Sequence, residues 1–283
     1  MKFFSVEGNS QKLDGGAMYG NAPKAMWEKW SPADSQNRIA LACRSLLAIT
    51  SEGQKILFEA GIGVFFDPKL RERFGVVEQE HCLLENLRKL GFEPESIDDV
   101  VLSHLHFDHA GGILSRYEEG PLRLVFPNAR FHVSRRNWER SIAPHSRDKA
   151  SFVPELNRLL EQSGRLCLVE REAHASIAHC VSYHFSDGHT PGLMMSEIKT
   201  TTGPLVFTSD LIPGAPWVHV PISMGYDRYP ELVIDEKRQL LENLLPREAA
   251  LFFTHDPDVA CGRLRRDAGG KFSTQQIDLS SLH

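Results

Sequence analysis

Four side chains that can bind a metal ion follow a short apolar run in the middle of the chain. The segment from residue 99 to residue 112 reads D-V-V-L-S-H-L-H-F-D-H-A-G-G and contains His104, His106, Asp108 and His109. His104 and His106 project from one side of an extended strand end, whereas Asp108 and His109 fall in the turn after it and can face a second point. The cluster can serve two metal ions but completes neither coordination shell, since a structural zinc ion takes about four ligands.

The remaining ligands are expected at three other strand ends. His189 lies in S-D-G-H-T-P-G, Asp210 in L-V-F-T-S-D and His255 in L-F-F-T-H-D, and each follows a strand-like run. A ligand at the end of a core strand is held rigidly, as a preorganised metal site requires. Each of the three alone is more simply explained as a surface or capping residue. Their combination predicts one metal site built where several strands end.

Strand-like and helix-like patterns alternate along the chain and predict an α/β fold. Runs rich in β-branched and apolar residues cover residues 39–50, 55–59, 99–103, 130–134, 181–185, 204–208 and 249–254. Three segments, residues 78–90, 154–162 and 231–245, carry leucines at helical spacing and are followed by Gly or Pro.

The length and the absence of a linker-like tract predict one domain covering residues 1–283. A chain of 283 residues is near the size limit for a single hydrophobic core. Residues 11–34, which are rich in Gly, Pro and aromatic side chains, are expected to form a long irregular excursion. Loops of that length tend to be functional.

Composition excludes several classes of protein. With 32 basic and 37 acidic residues the net charge is -5, and without a basic cluster nucleic acid is not expected as a partner. The first ten residues lack the pattern of an export signal, and the longest apolar tract is shorter than the roughly 20 residues that span a bilayer. We therefore expect a soluble, cytoplasmic protein with no membrane partner. The five scattered Cys residues indicate neither a disulfide framework nor a thiolate zinc site.

The motif H-x-H-x-D-H at residues 104–109 resembles that of the metallo-β-lactamase superfamily. The single-residue motifs around His189, Asp210 and His255 follow in the order found in that family. The resemblance extends from the early strands through F-E-A-G-I-G to T-H-D near the C-terminus. It implies a four-layer αββα sandwich with the metal site at one edge of the two sheets.

The resemblance also implies a complete set of ligands for two divalent metal ions. Zinc is the expected ion, with iron or manganese as alternatives. In this reading one ion takes His104, His106 and His189, the other takes Asp108, His109 and His255, and Asp210 bridges the two. An Asp at position 210 favours the dinuclear hydrolase branches over β-lactamases with Cys near that position, and His106 argues against the flavodiiron branch, which has Glu there.

Two adjacent divalent ions predict hydrolytic chemistry. They lower the pKa of a shared water to about 7 in favourable zinc sites, so the expected nucleophile is a bridging hydroxide that attacks a lactone or ester carbonyl. Asp108 is expected either to carry a proton to the leaving group or to act as a ligand alone. Glu59 and Asp187 are candidates for orienting a ligand imidazole, although each is equally well explained as a solvated carboxylate.

The resemblance to lactonases suggests a tyrosine that donates to the oxyanion, and Tyr226 and Tyr19 are the candidates. No Tyr follows Asp210 closely, so position alone does not assign this role. The expected substrate-binding residues are Met18, Tyr19, Phe107, Trp217, His219 and Met224, each of which core packing would also explain. The other histidines are expected to be structural: His81, His132, His145, His174, His179, His184, His219 and His283.

The segments L-D-G-G-A-M-Y-G and M-G-Y-D-R-Y-P resemble those of the lactonase and organophosphate-hydrolase branch. They imply a small, neutral, fairly apolar ester or lactone, an acyl-homoserine lactone being one candidate. A phosphotriesterase and a glyoxalase II-like thioesterase are the alternatives within the class, although Leu193 stands where the thioesterases have a second His. An iron-dependent dioxygenase and a non-catalytic signal-binding relative are the alternatives from other classes. A homodimer is compatible with the sequence.

Overall fold

The computed structural model describes residues 1–170, 177 and 179–282, and its two main sheets have six strands each. The first part of the chain contains β1 (Lys2–Glu7), β2 (Gln11–Asp14), β3 (Arg38–Leu41), β4 (Arg44–Ile49), β5 (Lys55–Phe58), β6 (Asp99–Val101), β7 (Arg130–Ser134) and β8 (Leu166–Val169). The second part contains β9 (Val181–Ser186), β10 (Leu193–Ile198), β11 (Leu205–Phe207), β12 (Ala250–Phe252), β13 (Cys261–Arg266) and β14 (Phe272–Gln276).

Eight α-helices connect and cover these strands in the described part of the chain. They are α1 (Gly15–Tyr19), α2 (Lys24–Trp27), α3 (Pro68–Arg73), α4 (Cys82–Lys89), α5 (Phe107–Ala110), α6 (Arg135–Ile142), α7 (Pro154–Gln162) and α8 (Pro230–Leu244). None of them is long and apolar enough to cross a lipid bilayer.

Each half of the chain builds one sheet. The first sheet has the order β1-β4-β5-β6-β7-β8, in which β5 to β8 run parallel. The second has the order β14-β13-β12-β11-β10-β9, in which β11 and β12 run parallel and the other neighbours antiparallel. In both sheets the parallel strands end at the edge where the predicted ligands follow.

The sheets pack face to face, with helices on their outer faces. Phe58 of β5, Phe207 of β11 and Phe252 of β12 belong to one buried cluster between the sheets. The leucines of α4 and α7 pack on the first sheet, and those of α8 on the second. Burying these apolar faces stabilises the layers by about 25 cal/mol per Å² removed from water. The four-layer αββα architecture predicted from the sequence is confirmed.

Individual elements agree with the sequence patterns to different degrees. The helix predicted over residues 154–162 is confirmed to the residue, whereas that predicted over 78–90 begins only at Cys82. The run 39–50 is two strands, β3 and β4, of different sheets. The break falls where the amides of Ala42 and Arg44 donate to the carbonyls of His255 and Thr254.

The segment at residues 11–34, which was expected to be irregular, contains regular elements over residues 11–19 and 24–27. β2 pairs with β3 in a two-stranded sheet, and α1 and α2 follow. Asp14 caps α1 by accepting a hydrogen bond of 2.8 Å from the amide of Ala17. At Gly15 a Cβ atom would lie 2.5 Å from the Trp27 ring, so glycine permits the tight packing of these helices. The many Gly residues reflect close packing here.

Candidate metal centre and cavity

The seven predicted ligands follow four different strands and meet at one edge of the sandwich. His104, His106, Asp108 and His109 follow β6, and the latter two lie on α5. His189 lies between β9 and β10, Asp210 follows β11 and His255 follows β12. Because β11 and β12 are parallel neighbours, their carboxyl ends bring Asp210 and His255 together.

The ligand atoms form three overlapping groups in the described part of the chain, and within each group they lie within 4.8 Å of one another. The groups are His104 with His106 and His189, His104 with His109 and Asp210, and Asp108 with His109 and His255. One Asp210 oxygen, Oδ1, lies 3.3 Å from His109 Nε2 and 3.2 Å from His255 Nε2. The other, Oδ2, lies 3.2 Å from His189 Nε2. Asp210 thus stands between the first and third groups.

Hydrogen bonds behind the imidazoles determine which ring nitrogen points inward. The Nδ1 atom of His189 lies 2.9 Å from Asp227 Oδ1, and that of His255 lies 2.7 Å from the Ala42 carbonyl. These oxygens accept, so Nδ1 carries the proton in both rings and the Nε2 lone pair faces the centre. His109 Nδ1 lies 3.3 Å from Glu59 Oε2, which favours the same tautomer.

The arrangement fits divalent cations and is otherwise unfavourable. Nε2 of His109 faces Nε2 of His255 at 3.2 Å, and Nε2 of His189 faces Nδ1 of His106 at 3.3 Å. Where two lone pairs converge in this way, a cation between them replaces repulsion with coordination. His104 Nε2 and Asp210 Oδ1 are buried without a hydrogen-bond partner, which is costly unless a ligand satisfies them. Nitrogen and carboxylate donors suit zinc, iron or manganese.

Electrostatics divide the predicted ligands into two neutral imidazoles and a group that gathers positive charge around Asp210. Burial, together with the neighbouring imidazoles, lowers the pKa of His104 and of His106 well below the ordinary value, so both rings are neutral. Burial opposes ionisation of Asp210, but His109, His255 and His189 outweigh it and hold its pKa well below the usual range. In turn, against the effect of burial, the Asp210 carboxylate raises the pKa of His189, and it holds the pKa of His109 and of His255 well above the ordinary value. Without a metal ion these three rings therefore attract protons, which shows that the point favours positive charge.

Two residues beside the centre have a left-handed backbone that side chains rarely adopt: Glu59 has a φ of 65° and Ser209 a φ of 44°. The Glu59 carboxylate accepts a hydrogen bond of 2.7 Å from the Ser103 amide while facing His109. The Ser209 hydroxyl lies 2.6 Å from that of Ser103. This backbone strain places the carboxylate behind His109 and turns the chain directly before Asp210.

A cavity of about 320 Å³ lies over the centre. Its floor consists of the ligands His106, Asp108, His189, Asp210 and His255. Its walls are the apolar side chains of Leu13, Met18, Leu41, Phe74, Phe107 and Met224. Its mouth consists of Arg147, Asp148, Ala150, Ser151, Gly225 and Tyr226. The structure therefore places Met18, Phe107, Met224 and Tyr226 of the predicted binding and catalytic residues at this cavity.

Tyr19, Trp217 and His219 do not line this cavity, and their predicted substrate role is corrected. Tyr19 is 0% exposed, stacks between Trp27 and Trp217, and its hydroxyl lies 2.7 Å from that of Ser31. It therefore cannot donate to an oxyanion. Trp217 is buried and donates to the Met18 carbonyl, so it supports a wall residue from behind. His219 lies two residues after Trp217, directly after the short helical turn Ala215–Val218.

Asp227 was missed by sequence reasoning. It accepts a hydrogen bond from His189 through Oδ1 and one of 2.6 Å from the Met224 amide through Oδ2. Of the two carboxylates proposed for orienting ligands, Glu59 faces His109. Asp187 instead pairs with Arg136 and accepts from the Gly192 amide. The sequence does show a carboxylate directly after Tyr226. The direction of the Asp227 side chain, however, depends on the conformation of the loop, which the sequence pattern does not predict.

Three of the eight other histidines have structural partners among the described residues. His132 lies 2.6 Å from Asp99, and His184 lies 2.8 Å from Glu197. His145 accepts from the Arg147 amide, and His81 is buried. His174 and His283 lie outside the described residues. All five cysteines are free.

The αββα sandwich, with histidines and carboxylates gathered at its edge, defines a class of metal-binding α/β proteins. Residues 41–255 match the model of the metallo-β-lactamase superfamily. Because that match covers more than half of the chain, the protein belongs to the metallo-β-lactamase superfamily.

Curated relatives include N-acyl homoserine lactonases. One from a Bacillus species is 29% identical over 187 residues, which are 63% of this chain and 63% of that protein. The match therefore spans slightly less than two thirds of that relative. AiiB, an N-acyl homoserine lactonase of Agrobacterium fabrum, is 29% identical over 198 residues, or 66% of this chain and 67% of that protein.

Solved structures share the whole fold. A probable metal-dependent hydrolase from Staphylococcus aureus has a TM-score of 0.87 at 26% identity, covering 98% of this chain and 97% of that one. The dizinc quorum-quenching lactonase AidC has a TM-score of 0.74 at 23% identity, covering 98% and 94%. The second likeness concerns the fold alone.

Proposed function

We propose that this chain is a dinuclear metal-dependent hydrolase that opens lactones or related neutral esters, with N-acyl homoserine lactones as the leading substrate class. The observation that carries the proposal is the convergence of five imidazoles and two carboxylates at one point, where three of the imidazoles and both carboxylates form the floor of an apolar-walled cavity. The relatives named as N-acyl homoserine lactonases support the choice of bond. Zinc is the expected ion, and iron and manganese are the alternatives.

Two divalent ions held by the seven ligands would supply Lewis acidity and make water nucleophilic near neutral pH. The residues of the chain decide which ions fit and where the substrate lies. Asp227, Glu59 and the Ala42 carbonyl hold His189, His109 and His255 in the orientation that a divalent ion needs.

The position of Asp108 supports a role in proton transfer. Its side chain is 16% exposed and lines the cavity, whereas His109 beside it is fully buried. Its Oδ2 atom lies 3.7 Å from His255 Nε2, so the carboxylate faces both the ligands and the substrate space. From there it can accept a proton and deliver it to the alkoxide that leaves the lactone ring.

The position of Tyr226 supports a role in stabilising the oxyanion. It lines the mouth of the cavity, and burial, with Asp108 nearby, raises its pKa to about 12. The hydroxyl therefore stays protonated at neutral pH and can donate a hydrogen bond to developing negative charge. The apolar walls of the same cavity favour an uncharged substrate.

Metal analysis combined with a substrate panel tests the proposal. We expect two ions per chain and hydrolysis of an N-acyl homoserine lactone that stops when a chelator removes the metal. The His109→Ala variant should lose bound metal and at least about 1,000-fold of the activity. His184→Ala, which removes a partly exposed histidine outside the centre, is the control and should retain both.

The remaining outcomes separate the alternatives. Activity that survives full metal removal would overturn the proposal. One iron per chain with oxygen consumption would select a dioxygenase, and tight binding without turnover would select a signal-binding protein. If paraoxon is turned over faster than every lactone and ester, the protein is a phosphotriesterase. If a thioester is turned over fastest, it is a thioesterase.

A further inference from the structure

The mouth of the cavity carries a guanidinium group that the metal centre does not use. Arg147 lies on the loop between α6 and α7, is exposed, and lines the cavity. Its Nη2 atom donates to the Gly225 carbonyl at 2.8 Å and to the Asp227 carbonyl at 3.3 Å. An arginine has five N–H donors in a planar fork, so Nε and Nη1 keep donors for another acceptor.

The charge of Arg147 is not neutralised by its neighbour. Asp148 also lines the cavity, but its Oδ2 atom accepts from Arg140 Nε at 2.9 Å and from Arg140 Nη2 at 2.7 Å. Within the described residues Arg147 forms no ion pair. The adjacent walls, which include Leu13, Phe74 and Met224, offer no hydrogen-bond acceptor from their side chains.

The guanidinium is held at a fixed place relative to the floor. Its two backbone acceptors belong to the loop at residues 222–228, whose Gly225 amide donates to the Ala17 carbonyl at 2.8 Å. The same loop contributes Asp227, which holds His189. Arg147 and the floor therefore border the same cavity, with the loop at residues 222–228 connecting them.

We propose that Arg147 is a specificity-determining residue that binds a second oxygen acceptor of the substrate, beyond the ester bond that is cleaved. The inference rests on the proposed function. The matching chemistry is a carbonyl or carboxylate oxygen several atoms from the scissile ester, because a guanidinium fork binds such oxygens strongly. An acylamino lactone offers this oxygen in its amide, and an unsubstituted lactone lacks it.

Three lactones with the same ring test the inference on the metal-loaded enzyme: one unsubstituted, one with an acylamino group and one with a carboxylate. We expect Arg147→Gln to lower kcat/KM for the acylamino lactone by about 10- to 100-fold, the effect of losing a charge-assisted hydrogen bond. The unsubstituted lactone should change by less than about threefold. Arg147→Lys, which keeps the charge but not the fork, should fall between the two. The carboxylate lactone distinguishes a carbonyl oxygen from a carboxylate oxygen. If Arg147 prefers an anion, kcat/KM for this lactone should fall most in Arg147→Gln.

Arg135→Met is the matched control, because Arg135 is exposed, pairs with Glu170 and does not line the cavity. Bound metal and Tm of each variant show whether the loop at residues 222–228 has moved. Equal losses on all three lactones, or none, would overturn the inference and leave the proposed function intact. Turnover of no lactone by the wild-type protein would overturn the proposed function as well.

Discussion

The floor and the mouth of the cavity are built in opposite ways. The floor ligands follow strand ends, and most are almost fully buried, with partners behind them. The mouth residues lie on two loops and are largely exposed; Tyr226, for example, is 45% exposed. This difference indicates that the sandwich determines the geometry of the metal centre, whereas the loops determine which substrates can reach it. Changes at the floor should affect every substrate, and most changes at the mouth should affect some substrates only.

Tyr226 is the residue that could break this division, and its removal has the largest effect that we expect outside the ligands. Tyr226→Phe should lower kcat by about 100-fold on all substrates, because it deletes an oxyanion donor. Tyr229→Phe is the control, since Tyr229 is 48% exposed and does not line the cavity. Steady-state kinetics measure both. A change in KM alone would show that Tyr226 acts in substrate binding, like the other mouth residues, and does not stabilise the oxyanion.

Asp227 connects the two regions, because it lies on the mouth loop and holds a floor ligand. Asp227→Asn should weaken metal affinity by about 10- to 100-fold, as loss of a carboxylate behind a ligand imidazole commonly does. Competition with a chelator measures the affinity. Asp187→Asn removes a carboxylate that contacts Arg136 and should leave the affinity unchanged. Equal affinities in both variants would contradict the role given to Asp227.

Lys237 supports the start of the mouth loop, where its ammonium group donates to the Ile222 carbonyl. Burial lowers its pKa to about 8, whereas the unfolded chain has a pKa of about 10.4. Between these values the unfolded state binds more protons, so the free energy of unfolding should rise with pH by up to about 3 kcal/mol. Urea unfolding of the wild type and of Lys237→Met at about pH 7.5 and about pH 10 measures this. A parallel rise in the variant would exclude Lys237 as the source.

Tyr19 gives the smallest expected effect and checks its assignment to the core. Tyr19→Phe should leave kcat and KM unchanged and lower the free energy of unfolding by about 1 kcal/mol, because it loses the hydrogen bond to Ser31. Kinetics and urea unfolding test this directly. A lower kcat in this variant would contradict the assignment of Tyr19 to the core.

The floor and the mouth also differ in how well the sequence predicts them. Four of the predicted ligands were accessible because they lie within six positions, at residues 104–109. His189, Asp210 and His255 each follow a strand-like run, and the resemblance to the metallo-β-lactamase superfamily implied how all seven combine. The mouth was not accessible, because its loops are placed by distant contacts such as that of the Tyr229 amide with the Gly188 carbonyl at 2.7 Å. Tyr226 was singled out while its neighbour Asp227 was missed. Tyr19 and Trp217 are residue types that often line pockets, but here their rings stack against each other in the core.

The division of the chain into two sheets has a thermodynamic consequence. Four of the proposed ligands come from the half that builds the first sheet, and three come from the half that builds the second. Ions bound there would therefore cross-link two contiguous halves of the polypeptide, and acquiring them would be coupled to folding. Each tenfold excess of free ion over its dissociation constant would add about 1.4 kcal/mol to stability per site. The ion concentration of the surroundings would then help to set the lifetime of the protein.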